Sequence, residues 1–452
     1  MSRARNHSAA TLAEARTPSR ESAEMDRLYR KITLRLMPLL FLCYLFAFLD
    51  RINIGYAKLE MSSDLGFSEA VYGLGAGIFF FSYLLFEVPS NMLLERIGAR
   101  LTMLRILVLW GITSAATMFV TTATQFYIAR FLLGVFEGGF FPGIILYLTY
   151  WFPSARRGLV TGMFMFAVPI AGIIGGPISG MIMSSMDGAA GMRGWQWMFL
   201  IEGLPSVLLG LVCYFYMADK PAKATWLSAA EKERVMTALA EDKDGRQESV
   251  HGKAGQFRKA VTDGRVWIIA SIYFSAACAN YAFTFWLPTM IKALGVDSLA
   301  QIGWYSAIPY VFAGLGVLGI SWSSDRFRER RWHVAGSLIA AAIALSLTTF
   351  TTDSLFVSMV LLCFAGFFEF GAAIIFWAIP PTYLSKEAAP VGIALVSSIG
   401  VIGGFVSPTL LGFIKSHTGS LDYGIYAVAG IMVIGGLITL LALPSKALKV
   451  GN

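Results

Sequence analysis

The chain has 452 residues, of which 56% are hydrophobic and only 14% charged, with 45 glycines and a formal net charge of +8. Soluble proteins carry about a quarter charged residues, so this composition excludes a soluble globular fold. The apolar stretches are about 20 residues long rather than short and alternating, which selects membrane-spanning helices over an outer-membrane barrel.

In chain order, residues 1–32 are polar, lack the apolar core of a cleavable signal peptide and read as a disordered N-terminal tail. Six spans follow in a first bundle over 33–217, at 33–56, 71–93, 102–120, 126–151, 159–185 and 196–217. The longest polar stretch is 218–265. A second bundle occupies 266–443, with spans at 266–290, 301–323, 333–350, 355–383, 391–414 and 423–443, before a short tail at 444–452. In the central stretch, Ser228 followed by Glu231 is a capping-box start, and Val235, Met236 and Leu239 recur at helical spacing. A short amphipathic helix at the membrane face is expected there, the alternative being a solvated linker.

With these spans nearly all Lys and Arg fall on the side of the N-terminus, four fall on the other side, and Arg51 and Arg130 lie within the membrane. That asymmetry places both termini in the cytoplasm and accounts for the basic balance without a nucleic-acid partner. The four cysteines, Cys43, Cys213, Cys278 and Cys363, sit far apart within spans, as small buried apolar residues do. All four histidines lie in tails or loops, and there is no metal-ligand cluster or nucleotide-binding glycine loop. No enzyme activity and no cofactor are expected.

The two halves repeat. Glu95-Arg96 after span two recurs as Asp325-Arg326 after span eight. Phe136-Glu137-Gly138-Gly139 recurs as Phe368-Glu369-Phe370-Gly371, and Pro177 as Pro408, all at nearly one offset. The expected architecture is an all-α membrane protein of twelve transmembrane helices in two six-helix bundles, related by a pseudo-two-fold axis along the membrane normal. Its site lies between the bundles near the midplane.

A charge at that depth costs at least a few kcal/mol and is usually functional. Arg130 and Glu137 are two helical turns apart, on one face and about 10 Å along the axis, so both can look into one cavity. The alternative is a structural network with neighbouring helices. Asp50 and Arg51 project about 100° apart, so one can face helix packing and the other the cavity, unless the pair merely punctuates the end of span one. The arginine fork suits a carboxylate ligand, which it can hold through two charge-assisted hydrogen bonds. Burial favours the neutral form of a carboxyl, so Asp50 and Glu137 can carry protons. The repeat sets Asn280 and Tyr281 opposite Asp50 and Arg51, and Tyr83, Trp377, Ser397 and Ser398 are further candidates for the cavity wall. Glu87 and Glu202 read as interhelical hydrogen-bond partners.

Two six-helix halves, basic loops after spans two and eight and the ERIGAR segment (Glu95, Arg96, Gly98, Arg100) resemble the major facilitator superfamily. The segments LDRINIG (49–55), FEVPSN (86–91), ARFLLGVFEGGFFPG (129–143), WFPSARRG (151–158) and GWQWMFLIEGLP (194–205) together resemble its anion:cation symporter branch. Members include bacterial importers of tartrate, hexuronates, galactonate, phthalate and hydroxyphenylacetate. The resemblance implies a proton symporter for a small organic carboxylate in the bacterial inner membrane, working by alternating access as a monomer. It further implies Glu137 and Asp50 in proton coupling, Arg130 organising the pathway and Arg51 holding the substrate. The alternative is a uniporter or exchanger of organic anions in which the acids are structural. Glu95, Arg96 and Arg100, with Asp325 and Arg326 as the second copy and Arg156-Arg157 nearby, are expected to form a cytoplasmic latch of the outward-open state. Plain anchoring explains Arg156 and Arg157 equally well.

Overall fold

The computed structural model describes residues 20–244, 253–384 and 389–444. The expected tails, up to residue 19 and from residue 445, lie outside these, as does the middle of the central stretch. Among the described residues there are helices and turns but no strand. Twelve helices are long and apolar enough to cross a membrane: α1 (Ser22–Asp64), α2 (Glu69–Ile97), α3 (Ala99–Phe119), α4 (Ala123–Thr149), α5 (Ser154–Met186), α6 (Gly194–Tyr216), α7 (Gly264–Ala293), α8 (Leu299–Phe327), α9 (Arg331–Thr348), α10 (Leu355–Tyr383), α11 (Val391–Thr418) and α12 (Asp422–Ala442). Helices are the form that satisfies every backbone group within one segment in hydrocarbon.

The chain ends these helices where local chemistry requires it. Ser68, Thr122, Ser298 and Ser354 accept backbone N–H groups at the starts of α2, α4, α8 and α10. Gly98, at φ 87°, turns the chain between α2 and α3, a conformation that suits glycine. The helices run further than the apolar stretches alone suggest. The helix that contains α1 runs Arg20–Asp64, well before residue 33, because Leu28, Tyr29 and Ile32 form an apolar face that is buried, with Tyr29 beside Phe152. The central stretch holds a helix at Ala229–Asp244, opened by reciprocal bonds between Ser228 and Glu231.

An even number of spans brings the chain back to the face it started from, the terminal face; the opposite one is the far face. The halves meet through α2 on α11, α5 on α8 and α1 on α7. Glycines let these crossings close. A Cβ on Gly73 would lie 2.5 Å from the Pro408 carbonyl, and one on Gly176 would lie 2.5 Å from that of Gly303. All four cysteines are buried.

Candidate functional site

Asp50 and Arg51 diverge from the middle of α1. Asp50 is buried toward α3 and α6, where its carboxylate accepts hydrogen bonds from Ser114 at 2.9 Å and Ser206 at 3.2 Å. Asn53, one turn along, reaches it at 3.4 Å. No cation pairs with Asp50 among the described residues. Glu202 on α6 accepts a 2.7 Å hydrogen bond from Ser179 on α5 and has Asn53 of α1 beside it. Asp50 and Glu202 therefore form a buried acidic layer inside the first half.

Arg51 turns the other way, toward the second half, and forms an ion pair with Glu137 of α4. Aromatic rings wall this pair: the guanidinium carbon lies 5.4 Å from the Phe79 ring centre, 5.8 Å from Tyr83 and 6.0 Å from Phe80. Glu137 reaches this position because α4 packs tightly on α2 at Gly134, where a Cβ would meet the Phe79 carbonyl at 2.2 Å. The α4 helix breaks immediately after Glu137, with Gly139 at φ 91°. Arg130 is buried two turns before, and its Nε donates to the Gly75 carbonyl of α2 at 3.3 Å. Arg130 and Glu137 share the α4 face, but the structure pairs Glu137 with Arg51 and binds Arg130 to backbone.

The second half supplies mainly neutral groups. The ring of Tyr281 on α7 lies 4.3 Å from Phe80, beside Arg51. Asn280 stands next to Glu369 of α10 and is the polar neighbour of this buried carboxyl. The hydroxyls of Thr284 and Tyr310 are buried beside each other. Trp377 is half-buried against Tyr273, at 4.7 Å between rings. Ser397 and Ser398 are half-buried on α11. Tyr273 was not singled out from the sequence, since one aromatic among many in an apolar run carries no distinguishing signal.

The structure also assembles a charged junction that sequence reasoning missed. At the far face, the Glu69 carboxylate of α2 lies 2.7 Å from Lys58 of α1 and 2.7 Å from Lys415 of α11. Lys58 also donates to Thr289 at 3.1 Å and sits 3.8 Å above the Trp286 ring, both on α7. Tyr72 donates to the Phe285 carbonyl at 2.8 Å, and Lys292 to that of Leu59 at 3.2 Å. Between residues 33–217 and 266–443, no comparable hydrogen bond or ion pair occurs toward the terminal face among the described residues. The halves are therefore tied at the far face. The available signal was that Lys58, Lys292 and Lys415 are three of the four basic residues opposite the termini.

The expected latch residues are not joined across the halves. Glu95 and Arg96 are exposed. Arg100 instead ties α3 to the end of α6, its Nε donating to the Tyr214 carbonyl at 2.8 Å and its backbone N–H to the Asp219 carboxylate just beyond at 3.1 Å. Asp325 pairs with Arg330 in its own loop, and Arg326 is exposed. Arg156 pairs with Asp26, and Arg157 with Asp242 of the central helix.

The Major Facilitator Superfamily model matches residues 40–408 and 297–451. NicT of Pseudomonas putida, named for metabolite transport, is 45% identical over 419 residues, covering 93% of this chain and 95% of that protein. A protein of Agrobacterium vitis named for tartrate transport is 45% identical, covering 92% and 94%. Among solved structures, the D-xylose-proton symporter superposes with a TM-score of 0.72 at 15% identity, covering 92% of this chain and 99% of that one. A bacterial homolog of the human lysosomal transporter Spinster, inward-facing and occupied, gives 0.75 at 16%, covering 90% and 96%. These structures share the fold, and the family model and close relatives carry the assignment: this twelve-span transporter belongs to the Major Facilitator Superfamily.

Proposed function

We propose that the chain is a proton symporter that imports a small organic carboxylate across the bacterial inner membrane by alternating access. The observation that carries this reading is the Arg51–Glu137 ion pair, walled by aromatics and directed toward the second half. A carboxylate substrate and Glu137 compete for one guanidinium. Protonation of Glu137 releases Arg51, whose fork then takes the substrate carboxylate. After release, deprotonated Glu137 pairs with Arg51 again. Both the loaded and the empty site are then close to neutral, which lowers the penalty for moving them past an apolar barrier. Asp50, held by two hydroxyls, is the second proton carrier, and Arg130 fixes α4 against α2.

The far-face junction fits a state open toward the terminal face, which is the cytoplasm in this reading. Lys415 of the second half parts from Glu69 and Lys58 of the first when the transporter opens outward. The relative named for tartrate transport agrees with a hydroxy-acid substrate, and the aromatic walls also suit an aromatic acid such as phthalate or hydroxyphenylacetate. The test is a panel of such acids on purified protein in proteoliposomes, with internal pH recorded. Internal acidification with uptake of one acid supports the proposal, and uptake without pH change leaves a uniporter or exchanger.

A further inference from the structure

Beside the transport pathway, α1 carries a second cluster of cations. Arg27, Arg30, Lys31 and Arg35 line an open cavity of about 620 Å³ at the terminal face, together with Tyr216 at the end of α6 and Trp226. The spacing puts all four on one side of α1. Only Lys31 is neutralised, by Glu231 at 2.8 Å. Arg27 and Arg30 are exposed and have no ion-pair partner among the described residues. Arg35 stacks 3.7 Å above the Tyr216 ring, and its Nε is enclosed without an acceptor. Trp226 lies flat against Trp151, at 5.5 Å and 9°, and its indole N–H is also enclosed without an acceptor. Three arginines, with the Tyr216 and Trp226 rings, thus line one cavity that no acidic side chain among the described residues lines. Guanidinium groups hold oxyanions through paired charge-assisted hydrogen bonds, so three of them around one cavity favour an anion with several oxygens.

The surface below identifies the source of that anion. Continuing along α1 at four-residue spacing, Leu34, Pro38 and Leu42 are exposed, and Leu208, Leu211 and Phe215 are exposed on α6. A basic cavity standing above an apolar strip, where two helices leave the membrane, matches a phosphate headgroup over acyl chains. We propose that this cavity binds one anionic phospholipid, its phosphate held by Arg27, Arg30 and Arg35, and its chains lying along Leu34 to Leu42. The bound lipid joins α1, α6 and the start of the central helix.

The test is native mass spectrometry of the full-length protein released from mixed phosphatidylglycerol and phosphatidylcholine micelles. Wild type retains one phosphatidylglycerol in preference, and Arg27→Ala with Arg30→Ala lowers that preference by about fivefold per arginine. Both positions are exposed, so the variant folds, which its unchanged Tm verifies. Arg35→Gln provides a second variant from inside the cavity, with the same expected loss. Equal retention of the two lipids by wild type, or unchanged preference in both variants, overturns the proposal. Displacement of the retained lipid by millimolar inorganic phosphate also overturns it, since a free ion is then the ligand.

Discussion

Arg51 of α1 and Glu137 of α4, 86 residues apart in the chain, meet as an ion pair with Tyr83 and Tyr281 at its side. One guanidinium therefore serves an internal carboxylate and, in the proposed cycle, an external one. In Glu137→Gln the internal competitor is permanently neutral. Proton-driven accumulation should be lost, while exchange of labelled for unlabelled substrate persists. Intact accumulation under a pH gradient in proteoliposomes would refute the coupling role.

Arg51→Lys keeps the charge and removes the fork. A charge-assisted hydrogen bond contributes about 1.5–3 kcal/mol, so substrate affinity should fall about 10- to 100-fold. Binding calorimetry measures this directly, and unchanged affinity excludes Arg51 as the carboxylate ligand.

The Gly134 crossing makes a stability prediction. Gly134→Ala places a Cβ 2.2 Å from the Phe79 carbonyl, an overpacking that costs about 1–3 kcal/mol. Gly158→Ala, with open space around it, should be neutral or slightly stabilising, since alanine is the better helix former. Thermal unfolding in detergent should rank Gly134→Ala clearly below wild type and Gly158→Ala level with it or above.

Glu69 holds two cations at the far face, Lys58 and Lys415. Glu69→Gln leaves these facing each other across the halves and should favour far-face opening. Spin labels at Ser63 and Asp297, both exposed at that face, should report a longer distance by electron resonance. An unchanged distance distribution would show that the glycine crossings alone hold the face shut.

Outside the membrane, hydrogen bonds from Lys31, and then from the Ser228 backbone, hold the Glu231 carboxyl below its ordinary value of 4.5. A depressed value means that its stabilisation is complete above the unfolded value and disappears as pH falls through the folded one. A spin label at exposed Thr237 should thus stay immobile from pH 8 to 5 and loosen below about 4.5. Glu231→Gln should remove that transition. The effect is small, because the group is largely exposed.

The sequence made the spans, the two halves and their family legible, since each rests on composition, periodicity and repeats over many residues. It also singled out Arg51, Arg130 and Glu137, because charges in apolar runs are conspicuous. It did not reveal that Glu137 meets Arg51 rather than Arg130, which depends on how closely α4 approaches α2 at Gly134. Lys58, Glu69 and Lys415 were overlooked because each sits near a span end, where charged residues are ordinary. Only the folded arrangement brings the three together. The start of α1 was misjudged for a similar reason, since Leu28 and Tyr29 find their partners far along the chain.

The Arg51–Glu137 pair also bears on how the transporter responds to voltage. Moving one elementary charge through a membrane potential is worth about 2.3 kcal/mol per 100 mV. A paired arginine and glutamate cancel, so the empty carrier returns without sensing the field through these two groups. In the proposed symport, any current that accompanies uptake therefore counts protons against substrate charge. A monoanion entering with one proton is electrically silent, and a second proton on Asp50 makes each cycle carry one net positive charge inward.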